Sequence, residues 1–128
     1  MEKNRTRIVI ALGSNVNQEA HMQEARKILL KTFEDMTFGD CVWTEPIGIH
    51  SDKFLNGLAV GYTKAKKEKV NLVLKNIERR CGRTTAESHL GIIAMDIDLL
   101  LYGDERFHED DWKRDYIQNL FKALGELK

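Results

Sequence analysis

The sequence predicts an α+β protein, a ferredoxin-like βαββαβ sandwich with an antiparallel sheet and a C-terminal helix. Two amphipathic segments with apolar residues at helical spacing lie between runs of strand character. Along the chain the order is strand, helix, strand, strand, helix, strand and a last helix. A repeated split βαβ unit has this order. We expect the helices to cover one face of the sheet and leave the other face available for a site.

The first half of the chain supplies most of the predicted strands. Ile8 to Leu12 is a continuous apolar run that ends at a Gly-Ser-Asn turn, as a buried strand does. Apolar residues at helical spacing predict a helix from about Gln18 to Phe33. Thr37 to Thr44 and Phe54 to Thr63 have strand character, and a polar loop that contains the only proline of the chain separates them.

The second half supplies the remaining elements. They are an amphipathic helix from Lys64 to Cys81, a polar loop from Arg83 to Gly91, a strand from Met95 to Gly103, a linker from Asp104 to Asp111 and a helix from about Trp112 to Leu127. Gly82 is suited to follow the first of these helices, because glycine adopts the left-handed conformation of a helix C-terminus at low cost.

Length and composition limit the classes of protein. At 128 residues with 42% hydrophobic content, residues 1–128 are expected to form a single domain. The 20 basic and 20 acidic residues balance, which argues against a broad cationic surface for nucleic acid or a membrane. Cys41 and Cys81 lack zinc-ligand spacing and fit buried thiols of a reducing compartment. The first apolar run is too short for a signal peptide, so we expect a cytoplasmic monomer, with a dimer left open.

The strongest functional signal is a pair of carboxylates in an apolar strand. Strand alternation places Met95, Ile97, Leu99 and Leu101 on one face. Asp96 and Asp98 share the opposite face, where two like charges disfavour burial unless a cation lies between them. Mg²⁺ prefers such oxygen pairs together with substrate phosphates, which predicts phosphoryl-transfer chemistry. The alternative is an ordinary solvated strand face, where acidic residues are common.

Other features fit the same chemistry, each with a structural alternative. Arg83 precedes the carboxylates in a polar loop and either reaches a phosphate or is a surface arginine. Phe54 and Asn56 share a strand face, which suits a flat heteroaromatic ligand, or they are core and turn residues. The turn 13–15 presents amides to a ligand or is an ordinary turn. The chain has no P-loop or Rossmann motif, and its four histidines are scattered and expected at the surface.

Together these residues resemble the 6-hydroxymethyl-7,8-dihydropterin pyrophosphokinase family of folate biosynthesis, from Ile8 to about Gly103. The motifs that carry the resemblance are Ala11-Leu12-Gly13-Ser14-Asn15, Thr44-x-Pro46-x-Gly48, Phe54-x-Asn56, Glu78-x-x-x-Gly82-Arg83, Gly91 and Asp96-Ile97-Asp98. The resemblance implies a ferredoxin-like fold. It also implies transfer of pyrophosphate from ATP to the hydroxymethyl group of the pterin, with release of AMP.

The resemblance also implies a role for each motif. Asp96 and Asp98 would hold two Mg²⁺ ions and, with Arg83, form the catalytic set. The implied pterin-binding residues are Thr44, Ile47, Phe54 and Asn56. Glu78 and Arg83 would lie on the nucleotide side.

The sequence departs from the family pattern at several positions. Ile93 stands where the family has a phosphate-binding arginine, and Thr85 and Leu90 stand where a cationic and an aromatic residue are common. Glu45 replaces a common proline, and the family's Pro-x-His element is missing. Loss of one phosphate-binding cation typically costs about a hundredfold in rate. Impaired catalysis, a non-catalytic pterin- or nucleotide-binding homologue, and a ferredoxin-like interaction module are therefore open alternatives.

Overall fold

The computed structural model of the chain describes residues 5–46 and 51–126. Its elements are β1 (Thr6–Ser14), α1 (Gln18–Thr32), β2 (Glu34–Phe38), β3 (Val42–Thr44), β4 (Phe54–Thr63), α2 (Lys67–Arg80), α3 (Thr85–His89), β5 (Asp96–Tyr102), β6 (Glu105–Arg106), α4 (Glu109–Trp112) and α5 (Asp115–Glu126). The predicted pterin-binding residue Ile47 and the motif residue Gly48 lie outside the described residues, as does Leu127.

The strands of the described residues form one six-stranded antiparallel sheet. The order is β2-β4-β1-β5-β6, and β3 also pairs with β4. β1 pairs with β4 along its whole length and with β5 on its other side. This order confirms the predicted ferredoxin-like fold. The apolar run of β1 is buried except at Ala11, which is half-buried, because the strand lies inside the sheet and most of its side chains are covered on both faces.

The first face of the sheet packs against α1 and α2. Ile8, Ile10 and Leu12 of β1 alternate onto this face. They belong to one buried cluster with Leu29 of α1 and Leu74 of α2. Burial of a side chain of this size contributes about 1.5–3 kcal/mol, so the cluster holds both helices on the sheet.

The second face is partly covered by α5, which corrects the expectation that helices leave this face open. Ile117, Leu120 and Leu124 form the apolar stripe of α5. They share a second buried cluster with Val9 of β1 and Leu58 of β4. A helix with such a stripe must bury it, and the apolar half of this face is the surface that accepts it.

The predicted strand 37–44 is wrong in its boundaries, because two strands, β2 and β3, take its place. Both lie along the same edge of β4, where Phe38 is opposite Ala59 and Val42 is opposite Asn56. Four steps along the chain therefore match three steps along β4, and the ladder cannot continue in register. The interruption brings β3 beside the start of β4, where the predicted pterin-binding (below, ring-binding) residues Phe54 and Asn56 lie.

A register shift in β5 corrects the predicted orientation of Leu101. Val9 is opposite Leu101 and Ile10 is opposite Leu99, so Leu100 is an extra residue between them. Such a bulge reverses the alternation of side chains beyond it. Leu101 consequently packs in the second cluster, while Leu99 remains in the first.

The other boundaries differ locally from the predictions. The second long helix begins at Lys67 rather than Lys64, and the predicted loop 83–91 contains α3. The predicted linker 104–111 contains β6 and the start of α4, and the last helix begins at Asp115 rather than Trp112. No helix among the described residues combines the length and the apolar character needed to cross a membrane.

Candidate active site

A cavity of about 270 Å³ lies on the part of the second face that α5 leaves open. Its floor is formed by β1, β4 and β5, and the start of α5 borders it. Its lining includes Ala11, Gly13, Thr44, Phe54, Asn56, Asp96, Asp98, Asp111, Arg114 and Tyr116. Most of the predicted ring-binding residues and the carboxylate pair therefore share one cavity.

Three rows of residues cross β4, β1 and β5 on this face. The polar row is Asn56–Gly13–Asp96, the middle row is Leu58–Ala11–Asp98, and the apolar row is Val60–Val9–Leu101. The residues at the centre of the first two rows are small, which leaves depth between the side chains on either side. A Cβ atom on Gly13 would lie 3.3 Å from Oδ1 of Asn56, so glycine keeps the polar row open.

The ring-binding side of the cavity is formed by β3 and β4. Thr44 is opposite Phe54 in the ladder, and Phe54 and Asn56 alternate onto the same face. Asn56 is buried, and its Nδ2 donates a hydrogen bond of 2.7 Å to Oγ1 of Thr44. That bond fixes the side-chain amide, which leaves its oxygen directed toward Gly13. A fixed amide beside an aromatic ring is suited to a flat ligand with donors and acceptors on its edge.

The carboxylates of Asp96 and Asp98 face the cavity from β5. One carboxylate oxygen from each of Glu78, Asp96 and Asp98 lies within 4.8 Å of the other two. The side chain of Asp98 is 19% exposed, against 42% for Asp96. Burial and the charge of Asp96 together raise the pKa of Asp98 from 3.8 to about 6, although nearby cations oppose the rise. A divalent cation would relieve this repulsion.

Glu78 of α2 is buried behind the carboxylate pair. Among the described residues, β6 pairs only with Leu101 and Tyr102, so the edge of β5 is open at Ile97. The amide of Ile97 donates a 2.7 Å hydrogen bond to Oε2 of Glu78. Glu78 therefore accepts a hydrogen bond from a backbone amide that the edge of the sheet would otherwise leave unpaired. Its carboxylate is buried and held in place rather than exposed to a ligand.

Two cations bridge Glu78 and the carboxylate pair. Nη1 of Arg83 lies 3.0 Å from Oδ1 of Asp96 and 3.3 Å from Oε1 of Glu78. Nζ of Lys75 lies 3.3 Å from Oδ1 of Asp98 and 2.8 Å from Oε2 of Glu78. The sequence predicted a position near the carboxylates for Arg83 but not for Lys75, whose place on a polar helix face carries no distinguishing signal.

Several other residues of the site were not predicted. His108 was expected at the surface and is exposed, and its Nε2 also lies 3.8 Å from Oδ1 of Asp98. Arg114, Tyr116 and Asp111 line the cavity, and Nε of Arg114 lies 3.2 Å from Oδ1 of Asp111. Burial, with the charge of Asp111, raises the pKa of Tyr116. None of the sequence motifs that carry the family resemblance includes these residues.

The turn 13–15 is occupied by interactions within the protein. Nδ2 of Asn15 donates to the carbonyl of Gly91 at 2.7 Å, and Oδ1 of Asn15 accepts from the amide of Ile93 at 2.7 Å. Asn15 thus fixes the segment that departs from the family pattern. Leu90, in the position often held by an aromatic residue, is 74% exposed.

The donor set of the site fits Mg²⁺. Asp96 and Asp98 offer hard oxygen ligands on one strand face, and the cavity leaves room for waters and phosphate oxygens on the other side. Among the described residues, the imidazole nitrogen nearest to these carboxylates belongs to His108, and the described cysteines lie on other elements. A set dominated by carboxylates is typical of magnesium sites with a phosphate ligand.

Comparisons with known proteins identify the family. The family model for 7,8-dihydro-6-hydroxymethylpterin-pyrophosphokinase matches residues 9–125. The folate synthesis bifunctional protein of Arabidopsis thaliana is 33% identical over 121 residues, which cover 86% of this chain and 25% of that protein. The mitochondrial folate synthesis bifunctional protein of Pisum sativum is 32% identical over 130 residues, which cover 92% of this chain and 25% of that protein. The chain therefore spans about a quarter of the length of these curated relatives.

Among solved structures, a dinuclear metal-binding peptidase of the M20 family from Bacillus subtilis covers 80% of this chain and 26% of its own, at 12% identity and a TM-score of 0.37. A score this low supports no conclusion about the present chain. The family match, in contrast, extends over both the ring-binding residues and the carboxylate pair. By this match and the fold that agrees with it, the chain belongs to the 7,8-dihydro-6-hydroxymethylpterin-pyrophosphokinase family.

Proposed function

We propose that this protein transfers pyrophosphate from ATP to 6-hydroxymethyl-7,8-dihydropterin in folate biosynthesis and releases AMP. The observation that carries the proposal is the polar row, in which Asn56, Gly13 and Asp96 lie side by side on neighbouring strands. A ring held at Asn56 would present its substituent toward Asp96 across the space above Gly13. Positioning two substrates in this way is the main task of a phosphoryl-transfer enzyme.

The proposed pterin subsite consists of Thr44, Phe54, Asn56 and Ile47. Thr44 fixes the amide of Asn56, and the ring of Phe54 borders the same cavity. Tyr116 lies at the start of α5 and is a further aromatic wall for a flat ligand.

The proposed metal ligands are Asp96 and Asp98, which would hold two Mg²⁺ ions with ATP. Bound Mg²⁺ would neutralise phosphate charge and polarise the reacting oxygens. Arg83 contributes a cation that can contact a phosphate beside Asp96. Glu78 acts on the nucleotide side by holding Arg83 in place, since its own carboxylate is buried against the strand edge.

We further propose that residues 1–128 act as a single domain and a monomer in the cytoplasm. Cys41 and Cys81 are both free thiols, which fits a reducing compartment. Neither nucleic acid nor a membrane is a proposed partner, because the basic and acidic residues balance at 20 each.

The test is AMP release from ATP and 6-hydroxymethyl-7,8-dihydropterin in Mg²⁺, compared with the Asp96→Asn variant. We expect turnover in the unaltered protein and a loss of at least about a hundredfold in the variant. Asp110→Asn is the matched control, because it removes the same charge from a side chain that is 96% exposed. It should retain full activity.

Two results would contradict the proposal. Full turnover by folded Asp96→Asn would exclude the metal assignment. No AMP from the unaltered protein, together with tight pterin binding, would instead identify a binding homologue that has lost catalysis, as the isoleucine at position 93 allows.

A further inference from the structure

Lys75 belongs to the carboxylate network, and neither the predicted site nor the proposed mechanism uses it. It lies on α2, and its ammonium group has three partners around the edge of β5. Nζ donates to Oε2 of Glu78 at 2.8 Å, to the carbonyl of Ile97 at 3.1 Å and to Oδ1 of Asp98 at 3.3 Å. A single lysine therefore connects the strand edge, the buried glutamate and one proposed metal ligand.

The first two contacts hold the ammonium group in place without help from Asp98. Glu78 is itself held by the amide of Ile97, so the Glu78–Lys75 pair has contacts at the strand edge that do not involve Asp98. A cation bound to Asp98 would consequently have a positive neighbour within a few ångströms. Repulsion between charges at such separations is substantial in a partly desolvated site.

Each of the two carboxylates thus has its own protein cation. Arg83 forms an ion pair with Asp96, and Lys75 forms one with Asp98, which is the more buried of the two carboxylates. Arginine at the first position follows the family motif, while the lysine at the second is a feature of this structure. The protein cations already supply part of the charge compensation that a metal ion would otherwise provide.

We propose that Lys75 is the resident counter-ion of Asp98 and weakens divalent-cation binding in the nucleotide-free protein. Metal ions then bind well only when phosphates bring further negative charge to the site. Lys75 is a positioning residue in this account, since it acts through Asp98. The inference rests on the proposed metal site and adds to it a coupling between metal and polyphosphate binding.

The test is the affinity of the nucleotide-free protein for Mn²⁺, a spectroscopic substitute for Mg²⁺, measured by electron paramagnetic resonance. We expect Lys75→Gln to bind Mn²⁺ about tenfold more tightly, because a unit charge is removed beside the ligand. Lys75→Arg keeps the charge and should bind like the unaltered protein. Unfolding curves of both variants establish that they are folded.

Lys67→Gln is the matched control. It removes the same charge from the same helix and also breaks an ion pair, but its partner is Glu105 at 2.8 Å rather than a site carboxylate. Its Mn²⁺ affinity should not change. Equal or weaker binding by Lys75→Gln would overturn the inference, as would an equal gain in Lys67→Gln.

Two further measurements separate this inference from the proposed function. With a non-hydrolysable ATP analogue bound, the gain in Mn²⁺ affinity of Lys75→Gln over the unaltered protein should fall to less than about threefold. A gain that stays the same would overturn the coupling between metal and polyphosphate binding. Asp98→Asn should weaken Mn²⁺ binding both in the unaltered protein and in Lys75→Gln. If it does not, the proposed metal site itself is wrong. If it does but Lys75→Gln gains nothing, only the role of Lys75 is wrong.

Discussion

The apolar row and the polar row lie on the same three strands and the same sheet face, yet one is core and the other is a cavity. Val60, Val9 and Leu101 of the apolar row are buried in the cluster that α5 covers. The middle row lies two residues further along β1 and β4 and, because of the bulge at Leu100, three residues further along β5. Beyond it lies the polar row with its glycine, amide and carboxylate. Apart from the bulge at Leu100 the three strands stay paired from row to row, so side-chain size and charge mainly decide where the helix stops and the site begins.

The difference shows how a scaffold of this kind separates stability from function. The large side chains of the apolar row gain free energy by burial. Gly13 and Ala11, at the centres of the other two rows, forgo that gain and leave space. Carboxylates placed over this space repel each other in the free protein and become favourable only with a positive partner.

The largest expected effect concerns Leu58 and Asn56, which are neighbours on the same face of β4. Leu58 is completely buried, so Leu58→Ala should lower the free energy of unfolding by about 2–5 kcal/mol. Asn56→Ala should cost only about 1 kcal/mol, for the lost bond to Thr44, but should reduce pterin affinity more strongly. Chemical denaturation and titration with the pterin measure both. Equal losses of stability would mean that Leu58 of the middle row and Asn56 of the polar row do not differ in their structural role.

The sequence predicted the polar row better than it predicted its surroundings. The shared faces of Asp96 with Asp98 and of Phe54 with Asn56 were predictable because strand alternation is local and each pair is two residues apart. The cavity they share depends on ladder register, which no local pattern specifies. The bulge at Leu100 shows this, since it moved Leu101 to the opposite face without any signal in the sequence.

Residues on the helices, or directly before them, were the ones that sequence reasoning missed. Lys75 lies three residues before Glu78 on a helix rich in lysine, and only the packing of α2 along the edge of β5 gives it a special partner. Tyr116 and Arg114 reach the cavity because α5 covers the apolar row and begins at its border. Periodicity predicted that helix but not the sheet face on which it packs.

The second expected effect tests whether the carboxylates cost stability. The pKa of Asp98 is raised to about 6 in the folded protein from 3.8, mainly by burial and then by Asp96. Ionised Asp98 therefore destabilises the fold above pH 6, and this cost disappears as the pH falls toward 4. Asp98→Asn should raise the free energy of unfolding by about 1–2 kcal/mol at pH 8 without metal, and by little near pH 4. A lower free energy of unfolding for Asp98→Asn at pH 8 would contradict the conclusion that ionised Asp98 destabilises the fold.

The third expected effect tests the space above Gly13. Valine is favourable in a strand, so Gly13→Val should fold. Its Cβ atom would lie 3.3 Å from Oδ1 of Asn56 and 3.6 Å from Cδ1 of Phe54, and its two methyl groups would fill the space between them. Pterin affinity should fall by about tenfold or more, which calorimetry measures directly. Gly125→Ala is the control, because a Cβ there meets nothing within 4 Å. Unchanged pterin binding in Gly13→Val would place the ring elsewhere.

The smallest expected effect is the pH dependence of metal binding. It tests whether the carboxylate that destabilises the metal-free fold also binds the metal. Protons and Mg²⁺ compete for Asp98, and with a pKa of about 6 this residue is mostly ionised at pH 7.5 but mostly protonated at pH 5.5. Mg²⁺ affinity of the nucleotide-free protein should therefore fall about fourfold between these values, measured by calorimetry. His108 lies 3.8 Å from the same carboxylate, so the His108→Gln variant isolates the share of Asp98. An affinity independent of pH in both proteins would show that the metal does not bind Asp98. A fourfold fall that survives in His108→Gln would show that the carboxylate which destabilises the free fold is the one that binds the metal.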